Sequence, residues 1–552
     1  MKLAKIVKNH FFIIIIILIG LSIRLIGIKD VGISHYDTAY YANIAKVPIF
    51  AIDWFFDKNI INKDLEGLAD YLKERGAGGR IIKPGHVLLI FLSFLIFGVK
   101  DYAIYMVSTA CSVGVIFMTY LIGQKMFNKY TGLIASALMA TSGQNIIFSR
   151  TGYPQADTML LFCLAFLFLY YHLNSINRER NFWYFSVLSG LLVLFHLSVT
   201  IALGSLLFLI LINFLIDSSK KFIDCIKDCI YCLIVMLIIF LTTKYTVDLI
   251  NQLNPSGGQE LSNRLYNATL VKAMGYFNIS YEKLIFFPRM FWALEGPLVT
   301  LLIPISISYL VWKSYLLKSI NYIMILIVIC LPLLFWIVNY ATLKAVQVLL
   351  PFIAIAIGIF IYDLFDKIGS HEKNKQFSNI VRNAFICLIL FIGFLKSNSI
   401  TSFRSGYNTA FNNLEKYLES HDVNFEANQN NLWPISYFYA GNIVNSNPDK
   451  FSGKITYSNR KNHSDIKIID WRQFIPGKTN INNLNKITEN YEPIFQLHHS
   501  EKAYPIWHVH RWYDYERIPK LFEKYPDARF ISIYDLRDLT IIDESAKSSE
   551  AK

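Results

Sequence analysis

The chain has 552 residues, 54% of them hydrophobic and 17% charged, with a mean hydropathy of +0.37. Soluble globular domains average about 45–50% apolar and about 25% charged residues, so this composition lies outside that class, and disordered, collagen-like and disulfide-scaffold chains are excluded with it. The net charge of +13 does not point to nucleic acid. Lys and Arg stand in small groups between apolar stretches, with no basic run interleaved with aromatics.

Lys2, Lys5 and Lys8 precede the apolar run 11–28. That run lacks a small-x-small cleavage site and is long enough to span, so it reads as a retained anchor with a cytoplasmic N-terminus. A polar stretch over 29–83 follows, and then the apolar segment 87–99. This segment is about two-thirds of the ~20 residues a crossing needs, and it reads as an interfacial or re-entrant helix. Further spans are expected at 102–123, 131–148, 157–173, 183–197, 199–216, 229–247, 294–312, 321–340, 345–362 and 380–396, eleven with the first.

The basic groups then fall on one side: Lys125 and Lys129, Arg178 and Arg180, Lys220, Lys221 and Lys227, Lys313 and Lys318, and Lys367, Lys373 and Lys375. Counting 87–99 as a crossing would put all of them outside, so the positive-inside rule selects the short-helix reading. The expected architecture is an α-helical polytopic membrane protein of about eleven transmembrane helices over 1–396, with a first outer loop at 29–101. An extracytoplasmic soluble domain, α/β or α+β, covers 397–552. In that domain 411–420 reads as an amphipathic helix, and 432–439, 466–469 and 530–534 read as strands.

The seven cysteines lie between Cys111 and Cys387, so the tail needs no disulfide. Cys225, Cys229 and Cys232 share a helix face and read as packing rather than a metal site. In the tail Trp507, Trp512, Tyr513 and Tyr515, with His508, His510 and Arg511, read first as core, with a carbohydrate platform as the alternative. His498, His499, His508 and His510 lack a recognised ligand spacing.

Four segments share the expected outer face: 29–101, 149–156, 248–293 and 341–344. The first carries Ser34-His35-Tyr36-Asp37-Thr38-Ala39-Tyr40-Tyr41-Ala42. An acid among aromatics at a bilayer surface is a candidate general base, raised by desolvation and held ionised by nearby cations; a helix N-cap is the equal alternative. Arg80-Ile81-Ile82-Lys83-Pro84-Gly85-His86 opens the short helix. Lys83 beside free N–H groups suits a phosphate, against the plainer reading of a snorkelling lysine. His86 reads as a ligand or proton carrier, or as a satisfied structural polar group. Arg150 and Asp157, in a short outer loop, either pair with each other or bind a polar ligand, and Lys344 carries the same two readings.

In this order the features resemble the GT-C glycosyltransferases, specifically the dolichyl-phosphate-mannose protein mannosyltransferase and aminoarabinose transferase superfamily, over roughly residues 1–396. Asp37-Thr38-Ala39-Tyr40-Tyr41-Ala42 is similar to the family's Asp-Glu-x-x-Tyr-Ala motif, and Lys83-Pro84 to its Lys-Pro or His-Pro step. Phe97-Gly98-Val99 and the span through Gly123 also resemble the family. So do Ser149-Arg150 with Asp157, its second acidic motif, and Lys344 with Pro351.

The resemblance implies transfer of a sugar from a polyprenyl-phosphate donor to a protein, lipid or glycan acceptor on the outer face, with inversion at the anomeric carbon. It makes Asp37 the base and Asp157 an orienting acid. Tyr41, Lys83, His86, Arg150 and Lys344 form the substrate-binding set. Thr38 replaces the usual acid, Tyr40 an Arg of aminoarabinose transferases, and Ile82 their metal-binding Glu. No cofactor is therefore required by the pattern and a divalent metal stays open. Arg264, Lys272, Lys283 and Arg289 are candidates for the missing cation. The remaining readings are a glycolipid flippase or a non-catalytic assembly protein. The Lys-, Ile- and Asn-rich composition suggests a prokaryotic plasma membrane.

Overall fold

The computed structural model describes residues 2–33, 35–57, 64–174, 176–196, 199–216, 221–252, 281–339, 343–368, 375–427, 435–457, 464–470, 492–498 and 530–537. Its helices, in chain order, are α1 Lys2–Leu25, α2 Tyr36–Phe56, α3 Leu65–Glu74, α4 Pro84–Phe97, α5 Asp101–Met126, α6 Lys129–Thr141, α7 Gly143–Ser149, α8 Gln155–Leu173, α9 Arg178–Phe195, α10 Val199–Ile216 and α11 Phe222–Gln252. They continue as α12 Tyr281–Glu295, α13 Pro297–Leu317, α14 Ile320–Asn339, α15 Leu343–Val346, α16 Leu350–Ile368 and α17 Lys375–Thr401.

Eight helices among the described residues are long and apolar enough to cross a bilayer: α1, α5, α8, α11, α13, α14, α16 and α17. Three expected spans do not meet that standard. Helix α10 is short, and α9 carries Arg178, Glu179 and Arg180 in its first turn. The third, 131–148, is interrupted at Ser142, giving helices of 13 and 7 residues. Helices α6 and α7 are almost entirely buried, whereas α9 exposes Trp183 and Tyr184 and α10 exposes Phe208 and Leu215.

The interruption is satisfied by charge. A broken helix leaves carbonyls free at one end and N–H groups at the other. Buried Arg24 donates to the carbonyls of Ala140 (3.0 Å) and Met139 (3.3 Å), and Asn145 Nδ2 donates to Met139 O (3.1 Å). At the other end Glu295 accepts from the N–H of Gly143 (3.1 Å) and Gln144 (3.0 Å) and from the Ser142 hydroxyl (2.9 Å).

The polar stretch after the first span contains a 21-residue helix, α2, with Pro48 inside it. Helix α4 is short, as its length in the sequence requires. It buries His86, Val87, Ile90, Ser93 and Phe94 and exposes Leu88, Leu92, Leu95 and Ile96.

In the C-terminal part, α18 Tyr407–Ser420 buries Tyr407, Ala410, Phe411, Leu414 and Leu418, a stripe at helical spacing. It packs on an antiparallel sheet of order β3-β5-β4: β3 Ile466–Asp470, β4 Phe495–His498 and β5 Phe530–Asp535. Tyr417 donates to Asp535 at 2.8 Å. A two-residue parallel pair, β1 Phe425–Glu426 with β2 Ile455–Thr456, lies beside it. Of the strand expected at 432–439, residues 435–439 instead open helix α19, Ile435–Ser446, followed by the short α20 Pro448–Phe451, and 432–434 lie outside the described residues. Its Ile435, Phe438, Tyr439, Ile443 and Val444 recur at helical spacing and are buried. Trp507, His508, His510, Arg511, Trp512, Tyr513, Tyr515 and His499 lie outside the described residues.

Cys225, Cys229 and Cys232 are buried on α11 and form no disulfide among the described residues.

Candidate active site

Four helix starts meet at one end of the bundle, and each brings a polar residue with it. Asp37 sits in the first turn of α2, behind His35 in the N-cap position. A carboxylate there faces free N–H groups and the positive end of the helix dipole. Lys83 occupies the N-cap position of α4 with Pro84 at the first helical residue, a placement favoured because proline lacks the N–H that would go unpaired. Asp157 lies in the first turn of α8, and Lys344 belongs to the short helix α15.

The open face consists of Asp37, Lys344 and Lys83. Lys344 Nζ lies 3.3 Å from Asp37 Oδ2, and the Asp37 side chain is 42% exposed. The same ammonium stands 3.8 Å from the centre of the Tyr153 ring, and Lys83 stands 4.8 Å from that of Tyr41. Burial pushes the Asp37 carboxyl up, but Lys344, Lys83, the Lys344 hydrogen bond and His35 outweigh it and hold the group below its ordinary value. Lys83 responds in the opposite sense. Burial draws its ammonium down, Asp37 supports it, Lys344 opposes it, and the result is a pKa lowered to about 7.

Behind this face lies a closed layer. His86 is fully buried; its Nε2 lies 2.9 Å from the Gly152 carbonyl and its Nδ1 2.5 Å from Asp157 Oδ2. A carbonyl only accepts, so Nε2 carries a proton. The short contact on the other side requires a second proton, on Nδ1 or on the carboxyl. The pair therefore holds two protons between α4 and α8. Gly152, at φ +64°, turns its carbonyl toward the imidazole, in a backbone region that glycine enters without a Cβ penalty. Thr38 donates to the neighbouring Thr151 carbonyl at 2.5 Å, tying the first turn of α2 to the same loop. The Tyr41 ring meets His86 edge-on at 5.3 Å.

Three expectations change. Arg150 reaches neither the open face nor Asp157. It is buried, and it donates to Arg24 O (2.8 Å), Ile26 O (2.7 Å) and Thr401 O (3.2 Å), so it closes the ends of α1 and α17. Burial and the neighbouring Arg404 lower its pKa to about 10. His86 has both ring nitrogens paired within the protein and is closed to a ligand. Asp157 is 1% exposed and lies behind the site rather than on its face. Lys83, Lys344, Tyr41 and Asp37 do come together. Arg264 and Lys272 lie outside the described residues, and Arg289 is exposed on α12.

Sequence reasoning missed His196, in the turn between α9 and α10. Burial, with Lys83, Lys344 and His86 nearby, holds its imidazole well below its ordinary value. The adjacent Phe195 ring packs against Gly85 at the start of α4. The signal was a lone histidine at the seam of two apolar runs.

A divalent cation does not fit these donors. Among the described residues no three of His, Cys, Asp and Glu come together. Asp157 and His86 are committed to each other, Asp37 is paired with Lys344, and the Ile82 side chain offers no oxygen.

Residues 83–245 match the sequence profile of the family described as Dolichyl-phosphate-mannose-protein mannosyltransferase. No curated protein sequence matches the chain. Among solved structures, ArnT from Cupriavidus metallidurans in the apo state is similar at a TM-score of 0.54 and 11% identity, covering 96% of this chain and 99% of that one. ArnT from the same organism bound to undecaprenyl phosphate is similar at 0.53 and 10% identity, covering 80% and 89%.

Proposed function

We propose that this chain is a GT-C glycosyltransferase that transfers a sugar from a polyprenyl-phosphate donor to an acceptor, with Asp37 as general base; its ArnT-like fold and the family match over 83–245 support the reading. The observation that carries this reading is the pairing of one accessible, ionised carboxylate with two lysines at the meeting point of helix N-termini. Displacement at an anomeric carbon needs a base on the attacking side and positive charge where the phosphate departs. Lys83 and Lys344 meet the phosphate, aided by the positive start of α4. The undecaprenyl phosphate bound by ArnT supports this class of carrier.

In the reaction so proposed, Asp37 takes the proton from the acceptor hydroxyl or amine as its heteroatom attacks the anomeric carbon. The bond from that carbon to the phosphate oxygen breaks, its electron pair leaves with the phosphate, and configuration inverts. Donor binding draws Lys344 toward the phosphate and frees the carboxylate for the acceptor.

The site belongs to the outer face in this reading. Lys313 pairs with Asp363 (3.0 Å) and Arg382 with Asp366 (2.8 Å), near the end of α16 remote from Lys344. The basic groups concentrated at that remote end support its being cytoplasmic.

The test is release of sugar from a panel of polyprenyl-phosphate sugars by the purified protein, beside Asp37→Asn. We expect turnover of one donor by wild type and a loss of about 10²–10⁴-fold in the variant, with donor still bound. Equal turnover by both proteins would overturn the assignment of the base. Binding of donors without turnover, in the presence of acceptor extract, would favour a carrier of glycolipids.

A further inference from the structure

We infer that the C-terminal domain positions the phosphate-binding loop, acting through helix α19 and the buried amino group of Lys46. This rests on the donor-site reading above and assigns the domain a part in donor binding rather than in acceptor choice.

The loop 75–83 carries Lys83 into the site, and α2 carries Asp37. Both are held by the same stretch of α19, Tyr437 to Gly441. The Tyr439 hydroxyl accepts from the N–H of Ile33 (2.9 Å), four residues before Asp37, and donates to Asp101 Oδ2 (3.0 Å). Lys46, on α2, donates to Phe438 O (2.8 Å) and to Arg75 O (3.4 Å), with its Nζ 4.1 Å from the centre of the Phe438 ring. A Cβ on Gly441 would strike the backbone of Arg75 and Gly76, and one on Gly76 (φ +61°) would strike the Tyr437 carbonyl. Loop and helix therefore touch backbone to backbone, which fixes their separation.

Beyond that contact the loop is pinned to α3, through Gly76 N–H to Lys73 O (3.0 Å) and Ala77 N–H to Leu72 O (2.9 Å), and to α2 and α11. Gly78 N–H donates to Asn43 O (3.0 Å). The Tyr40 hydroxyl accepts from Arg80 N–H (3.0 Å) and donates to Arg80 O (3.1 Å), and Ile81 N–H donates to Asn251 Oδ1 (3.0 Å). Any shift of α19 is passed along this short chain of contacts to Lys83.

Lys46 is the telling residue. It is fully buried, and among the described residues no carboxylate pairs with it. Burial with no carboxylate beside it draws the Lys46 pKa well below its ordinary value, and an apolar side chain of similar length would fill the space at lower cost. Packing alone does not account for it. Its bonds do: a single amino group joins α2, the loop and α19 at the point where the three must keep register.

The experiment measures the affinity of the full-length protein for a short-chain polyprenyl methyl phosphodiester, beside thermal unfolding, in wild type, Lys46→Met, Lys46→Arg and Tyr439→Phe. Misplacing a binding group by a fraction of an ångström is expected to weaken the probe about tenfold in Lys46→Met, measured at a temperature where every variant is folded, with recovery in Lys46→Arg. Tyr439→Phe, which keeps the ring and loses both hydrogen bonds, should weaken it in the same direction. Wild-type affinity in Lys46→Met and Tyr439→Phe would overturn this inference alone. Failure of wild type to bind the probe would overturn the donor site itself, and this inference with it.

Discussion

The depressed ammonium of Lys83 gives donor binding a pH dependence of definite sign. With a pKa of about 7 in the empty site, Lys83 is half charged at pH 7, about one-tenth charged at pH 8 and about one-hundredth at pH 9. A bound phosphodiester carries one negative charge that does not titrate in this range, and it favours the charged ammonium. Binding therefore takes up a proton above pH 7. If only the charged form binds, affinity falls about ninetyfold between pH 6 and pH 9, approaching tenfold per unit at the alkaline end. Calorimetry with the polyprenyl methyl phosphodiester, in two buffers of different ionisation enthalpy, measures both the affinity and the proton. Polyprenyl monophosphate is a poor probe here, because its own second ionisation near pH 6 to 7 opposes the trend. In the empty protein the linkage has the other sign. The unfolded chain keeps a proton on Lys83 up to its ordinary value while the folded chain loses it near 7, so this residue makes stability rise with pH across that window. Flat affinity from pH 7 to pH 9, without proton uptake, would refute the electrostatic account of Lys83.

Lys344→Met removes the ion pair that offsets burial at Asp37. The Asp37 carboxyl should rise, moving the acidic limb of the pH–rate profile to higher pH, and donor affinity should fall about tenfold. Arg150→Met separates a binding role from a structural one. It strands the Arg24 and Ile26 carbonyls at the end of α1, leaves Thr401 O to Arg404 alone, and is expected to cost about 2–4 kcal/mol of stability, read as a lower unfolding midpoint. A large loss of donor affinity without that change would restore Arg150 to the binding set. For the His86–Asp157 pair, His86→Leu leaves a buried carboxyl without its partner and should cost about 3–5 kcal/mol, whereas His86→Leu with Asp157→Leu should cost less than the single change.

Much of the membrane region is legible in the sequence because hydropathy over about 20 residues is set by the bilayer itself. Where a helix is enclosed by other helices, as α6 and α7 are, lipid no longer dictates its length; α9 fails on the charges of its first turn and α10 on its length. The break at Ser142 depends on Arg24 and Glu295, which are 118 and 153 residues away from it in the chain. No local pattern announces them. In the tail, 432–439 is rich in aromatics and reads as a strand, but the helical spacing of its apolar positions becomes plain only when Ile443 and Val444 are included. For the site, Asp37, Lys83 and Lys344 were legible as charges that topology did not require. The burial of Asp157 and His86 was not, because each is closed off by the other.

The division between arginines and lysines explains why the sequence could name the cations but not sort them. Arg24, Arg150 and Arg404 all serve carbonyls near helix ends; Arg404 donates to Thr401 O and Phe403 O at 2.7 Å each. A guanidinium offers five donors in a fixed fork and stays charged when buried, which suits several converging carbonyls. Lysine offers a compact charge on a flexible stem and gives up its proton when desolvated. Lys83 and Lys344 are placed where those properties have a use. With both charged, they and Asp37 sum to one positive charge, which a single phosphodiester balances. Without the donor, part of that excess is relieved as Lys83 releases its proton. The empty site thus avoids the full cost of two adjacent ammonium groups, and the charge returns only when an anion arrives to pair with it.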